Sequence, residues 1–126
     1  MEQPELATTL KNTLLEFLVD MNSIFCEEEE QSDLMLVSLY FRIFDKTQIM
    51  QIFIDKLLPY KKQIVDRDLK FFISNKCTFA SLPVEKVQYY SKMLVDKNRL
   101  SREDEKVLWE YFDMFIYLTE EYKKSV

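Results

Sequence analysis

The sequence predicts an all-α protein: one domain over residues 1–126, built as an irregular bundle of about five principal helices with short helical pieces between them. The chain contains no glycine, whereas the favoured two-residue turns of β-hairpins require it. Apolar residues recur three or four positions apart, as they do in amphipathic helices. With 126 residues, 48% of them hydrophobic, the chain is long enough to bury a core without disulfide bonds.

The first two helices are predicted on either side of an acidic run at residues 27–30. The first helix follows Pro4 and ends at that run, because adjacent carboxylates are unfavourable at the negative C-terminal end of a helix. We therefore expect the run to be a solvated loop. The second helix should begin at a cap, Ser32 or Asp33, and continue through Phe44. It is apolar nearly all round, so we predict that it is buried on most sides.

The third helix is predicted to begin at a capping box made by Asp45 and Gln48. Pro59 should interrupt it, because proline lacks the N–H donor that a helix interior needs. The helix should then resume and reach a break at residues 66–68. Beyond that break we predict a short helical piece, a loop and a further helix, over residues 69–73, 74–82 and 83–97 respectively.

The last helix has the clearest pattern in the chain. Ser101 and Asp104 have the spacing of a capping box at its start. Apolar residues then repeat at intervals of three and four, which predicts a side that packs against the core. These residues are Leu108, Tyr111, Phe115, Leu118 and Tyr122.

The lack of histidine and glycine excludes many catalytic sites. Without histidine there is no Ser-His-Asp or Cys-His system and no histidine-ligated zinc or haem. Without glycine the phosphate-binding loops and the EF-hand turn are also missing. We therefore predict a protein that is not an enzyme, with no catalytic residue, no cofactor and no metal. An enzyme that uses only Asp, Glu, Lys or Tyr is the alternative that the sequence leaves open.

Charge and hydropathy narrow the expected partners and location. Seventeen basic and 22 acidic residues give a net charge of −5, the wrong sign for a dedicated nucleic-acid binder. No apolar run has the length of a membrane span, and the N-terminal segment lacks the pattern of a secretory signal. Cys26 and Cys77 show no CxxC spacing. We therefore expect a protein that is not secreted, has no membrane span and binds no nucleic acid directly.

A second set of aromatic and apolar residues predicts a partner-binding surface. In the last helix, Trp109, Phe112 and Ile116 form another stripe beside the core-facing one. Adjacent helical residues point about 100° apart, so one core-facing side cannot cover both members of an aromatic pair. Aromatic side chains are common at the centres of protein interfaces. The remaining candidates for contact with another protein, or with a second copy, are Tyr89, Phe71 and Phe72. The alternative is a helix covered on two sides within its own domain.

Three segments resemble small acidic helical proteins encoded by large nucleocytoplasmic DNA viruses of protists and algae. They are LLPYKKQIVDRDLKFFISN at residues 57–75, LPVEKVQYY at 82–90 and SREDEKVLWEYFDMFIYLTEEY at 101–122. The resemblance rests on LPY, RD-x-x-FF and W-x-x-F and on their spacing. It implies a viral product without enzymatic residues, located in the virion, in the host cytoplasm or in both.

Two functional hypotheses follow. The first is a non-catalytic structural or interaction protein, a minor capsid or internal virion component, for which Trp109→Ala abolishes assembly without loss of the fold. The alternative is a regulatory helical binding module, such as a Bcl-2-like decoy of a host factor or an accessory subunit of the viral transcription machinery. The Bcl-2-like fold is disfavoured, because its Asn-Trp-Gly-Arg motif cannot occur in a chain without glycine.

Overall fold

The computed structural model describes residues 2–68, Glu85, Tyr89, Lys92 and residues 100–125, and these form helices and turns without a strand. The prediction of an all-α fold is thus confirmed. In chain order the elements are α1 (Gln3–Ile24), α2 (Glu28–Arg42), α3 (Lys46–Lys56), a 3₁₀ turn (Leu58–Tyr60), α4 (Lys61–Val65) and α5 (Arg102–Lys124). Apart from Glu85, Tyr89 and Lys92, which are helical, the elements predicted over residues 69–97 lie outside the described residues.

Helices α1 and α5 pack side by side and run antiparallel. At one end the side-chain amide of Gln3 donates a hydrogen bond to the carbonyl of Tyr122 over 3.2 Å. Towards the other end the hydroxyl of Tyr111 donates to the carboxylate of Asp20. Helix α3 packs against both of them, α2 packs against α1, and α4 packs against α5. The two long helices are therefore the centre of the described structure.

The core is aromatic where these helices meet. The buried ring of Phe115 lies edge-on to Phe17 of α1 and to Phe53 of α3, with centroid distances of 5.7 and 5.0 Å. Edge-to-face pairs of this kind stabilise a core beyond the area that they bury. Aliphatic side chains complete this part of the core, and the fully buried ones include Leu6, Leu10, Ile49, Met50, Ile64 and Leu118.

The capping signals of the sequence mark the observed helix starts. The backbone N–H of Gln48 donates to the carboxylate of Asp45 over 2.8 Å at the start of α3. At the start of α5 the N–H of Asp104 donates to the hydroxyl of Ser101 over 3.0 Å. Pro59 lies in the 3₁₀ turn between α3 and α4. Both capping boxes and the interruption at Pro59 are confirmed.

The acidic run is not the loop that the sequence predicted, because three of its four residues form the first turn of α2. Glu27 is the N-cap, and its N–H donates to the carboxylate of Glu30 over 3.2 Å. Carboxylates are unfavourable at a helix C-terminus but favourable at an N-terminus, where the dipole is positive. The prediction considered only the effect of the acidic run on the C-terminal end of α1. Its position at the start of α2 decides its structure.

Helix α4 ends in a Schellman motif at the break predicted for residues 66–68. The N–H of Asp68 donates to the carbonyl of Gln63 over 2.9 Å, and the N–H of Arg67 donates to that of Ile64 over 3.1 Å. Arg67 has a φ of 56°, a left-handed conformation that glycine usually supplies. In this glycine-free chain an arginine takes that position, and its side chain forms contacts that offset the backbone cost.

Candidate functional site

Helix α2 has a buried side and an exposed apolar side. The buried side carries Phe41 together with two carboxylates, Glu30 and Asp33. The sequence predicted a helix buried on most sides, and this prediction was wrong for its outer side. Four large apolar side chains there are 65%, 58%, 48% and 73% exposed, and we call them the α2 stripe: Met35, Leu36, Leu39 and Ile43.

Charges of opposite sign lie near the two ends of the α2 stripe. At 100° per residue, its four side chains occupy one side of the helix, about 100° wide. Glu28 and Arg42 lie on the same side, about four turns apart, and both are exposed. Neither forms an ion pair with a described residue. The outer side of α2 is thus acidic near its N-terminus, apolar in the middle and basic near its C-terminus.

The residues predicted for partner contact in the last helix belong to the chain's own core. Trp109 and Ile116 are 6% and 4% exposed, and Phe112 is partly buried against the same core. The indole ring of Trp109 lies 5.9 Å from the ring of Phe112. The placement of Trp109 and Ile116 on an open surface is therefore corrected, whereas the ring of Phe112 is only partly buried. The alternative, a helix covered on two sides within its own domain, describes Trp109 and Ile116.

The other three predicted contact residues have different outcomes. Tyr89 is 40% exposed, and its hydroxyl donates a hydrogen bond to the buried carboxylate of Glu30 over 2.7 Å. Tyr89 therefore has a structural contact with α2 as well as an exposed portion. Phe71 and Phe72 lie outside the described residues.

Arg67 connects the end of α4 to the middle of α5. Its guanidinium donates two hydrogen bonds of 2.6 Å to the carboxylate of Asp113 and lies 5.1 Å from the centre of the Trp109 ring. The hydrogen bonds to Asp113 raise the pKa of Arg67 above its usual value. A bidentate pair beside an aromatic ring fixes the side chain in one direction. This arrangement fixes the end of α4 against the middle of α5.

A shallow depression between α1 and α5 surrounds the hydrogen bond from Tyr111 to Asp20. The apolar side chains of Leu15 and Val19 and the carboxylate of Glu16 complete its wall. Burial raises the pKa of Tyr111 to about 12, and the contact with Asp20 and the nearby charge of Glu16 act in the same direction. The phenol therefore stays protonated at neutral pH and serves as a hydrogen-bond donor between the two helices.

The structure shows no candidate metal centre among residues 2–68, 85, 89, 92 and 100–125. Those residues contain no group of three or more Cys, Asp or Glu arranged to hold a metal ion. No described helix is both long and apolar enough to cross a membrane. The thiol of Cys26 is exposed and free, and Cys77 lies outside the described residues.

No protein-family model, curated protein sequence or solved structure matches the chain. The α2 stripe is then the feature of the described surface that bears most directly on function. Its signal was present in the sequence, since nine of the eleven residues from 34 to 44 are apolar. A helix that packs on one side of a small bundle cannot bury apolar residues in every direction. The sequence predicted an exposed apolar side on α5, whereas the α2 stripe is exposed in the structure.

Proposed function

We propose that this protein is a non-catalytic interaction protein that binds another protein chain through the α2 stripe. The observation that carries the proposal is the exposure of four large apolar side chains on one side of one helix. Contiguous apolar patches are uncommon on the surface of monomeric proteins and mark interaction sites. Burying such side chains against a partner gains about 25 cal/mol for each Å² of apolar surface removed from water.

The stripe contributes little to the described fold, and this supports a role in binding. The opposite side of α2 holds the contacts with the rest of the bundle, through residues such as Phe41 and Leu34. Polar side chains at the four stripe positions would leave those contacts intact, and a surface helix normally carries polar residues there. The fold does not require apolar residues at these four positions, whereas a partner that covers them would bury them away from water.

We further propose that the protein is a minor component of a viral particle. The support is the resemblance of residues 57–75, 82–90 and 101–122 to small acidic helical proteins of large DNA viruses. Mass spectrometry of gradient-purified particles tests this, with the major capsid protein as the reference for copy number. A fixed ratio to the capsid protein is expected. Absence from particles, with abundance in infected-cell extract, would contradict it and favour the regulatory binding module.

The binding role of the α2 stripe is tested in the cells that naturally produce the protein. Two variants, Leu39→Lys and Met114→Lys, place the same charge at exposed positions of similar accessibility, 48% and 44%, and only Leu39 belongs to the stripe. In density gradients the wild type and Met114→Lys should sediment with an assembly larger than the 15.3 kDa chain. Leu39→Lys should sediment alone, because a buried lysine without a partner opposes binding. Cosedimentation of Leu39→Lys at the wild-type level contradicts the proposal.

A further inference from the structure

We infer that the partner of the α2 stripe is the α2 stripe of a second copy of this chain, packed antiparallel across a two-fold axis. The inference rests on the proposed function and names the occupant of the same surface. The inference depends on the order of charge along α2, which is acidic near its start and basic near its end. When two copies of the helix run antiparallel, the acidic end of each lies near the basic end of the other. A two-fold pair uses the same patch on both copies and closes after two chains.

The distances along the helix suit this arrangement. Glu28 and Arg42 lie about 21 Å apart along the axis, at 1.5 Å per residue. Met35, Leu36 and Leu39 lie between them, and Ile43, the C-cap residue of α2, follows Arg42. When the middles of two antiparallel helices cross near Met35 and Leu39, Arg42 of each copy comes within about one turn of Glu28 of the other. Each dimer then contains two equivalent Glu28 to Arg42 pairs at the rim of an apolar centre.

A parallel pair of the same helices lacks this complementarity. It would place Glu28 beside Glu28 and Arg42 beside Arg42, and like charges so placed are unfavourable. The two helix dipoles would also point in the same direction, whereas an antiparallel pair places the positive end of one near the negative end of the other. The charges on α2 therefore select the antiparallel orientation.

The net charge of −5 on each chain opposes association of two copies. At physiological salt, charges separated by more than about 8 Å are largely screened, so the contacts within the interface decide the outcome. Each solvated Glu28 to Arg42 pair at the rim adds little affinity. Most of the affinity therefore comes from the apolar centre, while the charge pairs determine the partner and its orientation.

The inference is tested by exchanging the two charges. Analytical ultracentrifugation of the purified full chain measures the monomer–dimer equilibrium of the wild type, Glu28→Lys, Arg42→Glu and the variant with both substitutions. Each single substitution turns both pairs repulsive, and the dissociation constant should rise about tenfold or more. The double variant should regain dimerisation, because both pairs again join opposite charges. An equimolar mixture of the two single variants should likewise form a heterodimer.

Controls separate failure of this inference from failure of the proposed function. Circular dichroism should show the same helix content in all variants, and Met114→Lys should dimerise like the wild type. A wild type that stays monomeric at all concentrations overturns the two-fold pair, while the gradient experiment on the natural assembly still decides whether the α2 stripe binds a different protein. A dimer that Leu39→Lys leaves unchanged also overturns the inference, since another surface would then hold the copies together. Loss of dimer in the single variants without recovery in the mixture excludes the antiparallel pairing.

Discussion

The hydrogen bond from Tyr111 to Asp20 shows how one side chain joins the two longest helices. Tyr111 packs its ring against Phe17 at a centroid distance of 5.3 Å and directs its hydroxyl to a carboxylate on α1. Deprotonation would place a phenolate beside the carboxylates of Asp20 and Glu16. Burial of the ring, and then this unfavourable contact between charges, raise the pKa of Tyr111 to about 12.

We predict that this contact makes the free energy of unfolding decrease as the pH rises through the alkaline range. A tyrosine whose pKa is about 10 when unfolded and about 12 when folded contributes its full stability below pH 10. The contribution is lost as the pH rises from about 10 to 12, because the unfolded chain releases the proton first. Urea unfolding of the wild type should show this loss, and Tyr111→Phe should lack that component.

Direct titration of the tyrosine hydroxyls tests whether Tyr111 causes this pH dependence. Absorbance of the phenolate should reveal a group that ionises near pH 12 in the wild type and is absent from Tyr111→Phe. Asp20→Asn removes the carboxylate and should lower the midpoint of that group towards the ordinary value. A wild type and a Tyr111→Phe variant with the same pH dependence of stability would contradict the assignment.

At the level of the element, the glutamates at the start of α2 look alike in the sequence but lie in different environments. Its N-cap and first turn contain four consecutive glutamates, yet Glu30 is buried and accepts hydrogen bonds from Tyr89 and from the backbone of Glu27, whereas Glu28 is exposed. The carboxylates favour the helix start through the dipole in both cases. Burial distinguishes them, and burial depends on the direction from which the rest of the chain covers the helix.

We predict different costs for Glu30→Ala and Glu28→Ala. The first removes a buried acceptor and leaves the hydroxyl of Tyr89 and the N–H of Glu27 without this partner, which should cost about 1–3 kcal/mol of unfolding free energy. The second removes an exposed charge near the helix N-terminus and should cost about 0.3–1 kcal/mol. Chemical denaturation measures both differences. Equal losses in the two variants would show that the dipole alone accounts for the acidic turn.

At the level of the whole molecule, local signals predicted the helices better than they predicted the surfaces. The capping boxes at Asp45 and Ser101 and the interruption at Pro59 depend on neighbours in sequence, and the structure confirms them. Which sides of α2 and α5 are buried depends on how separate helices pack together. A local sequence pattern does not contain this information. Both helices carry apolar residues in excess of one stripe. Helices α1, α3 and α4 pack against α5, and Trp109 and Ile116 of its second stripe are buried, while the outer side of α2 remains exposed.

Trp109, which the sequence assigned to partner contact, lies in the core. Trp109→Ala should lower the unfolding free energy by about 3–5 kcal/mol, because it removes a buried ring and leaves a cavity beside Phe112 and Arg67. Tyr117→Ala on the same helix removes a side chain that is 56% exposed and should cost less than about 1 kcal/mol. Thermal and urea unfolding of both variants measure the difference. A Trp109→Ala variant with wild-type stability that fails only to assemble would return Trp109 to the partner surface. A loss of stability would instead place the role of Trp109 inside the fold, as its burial predicts.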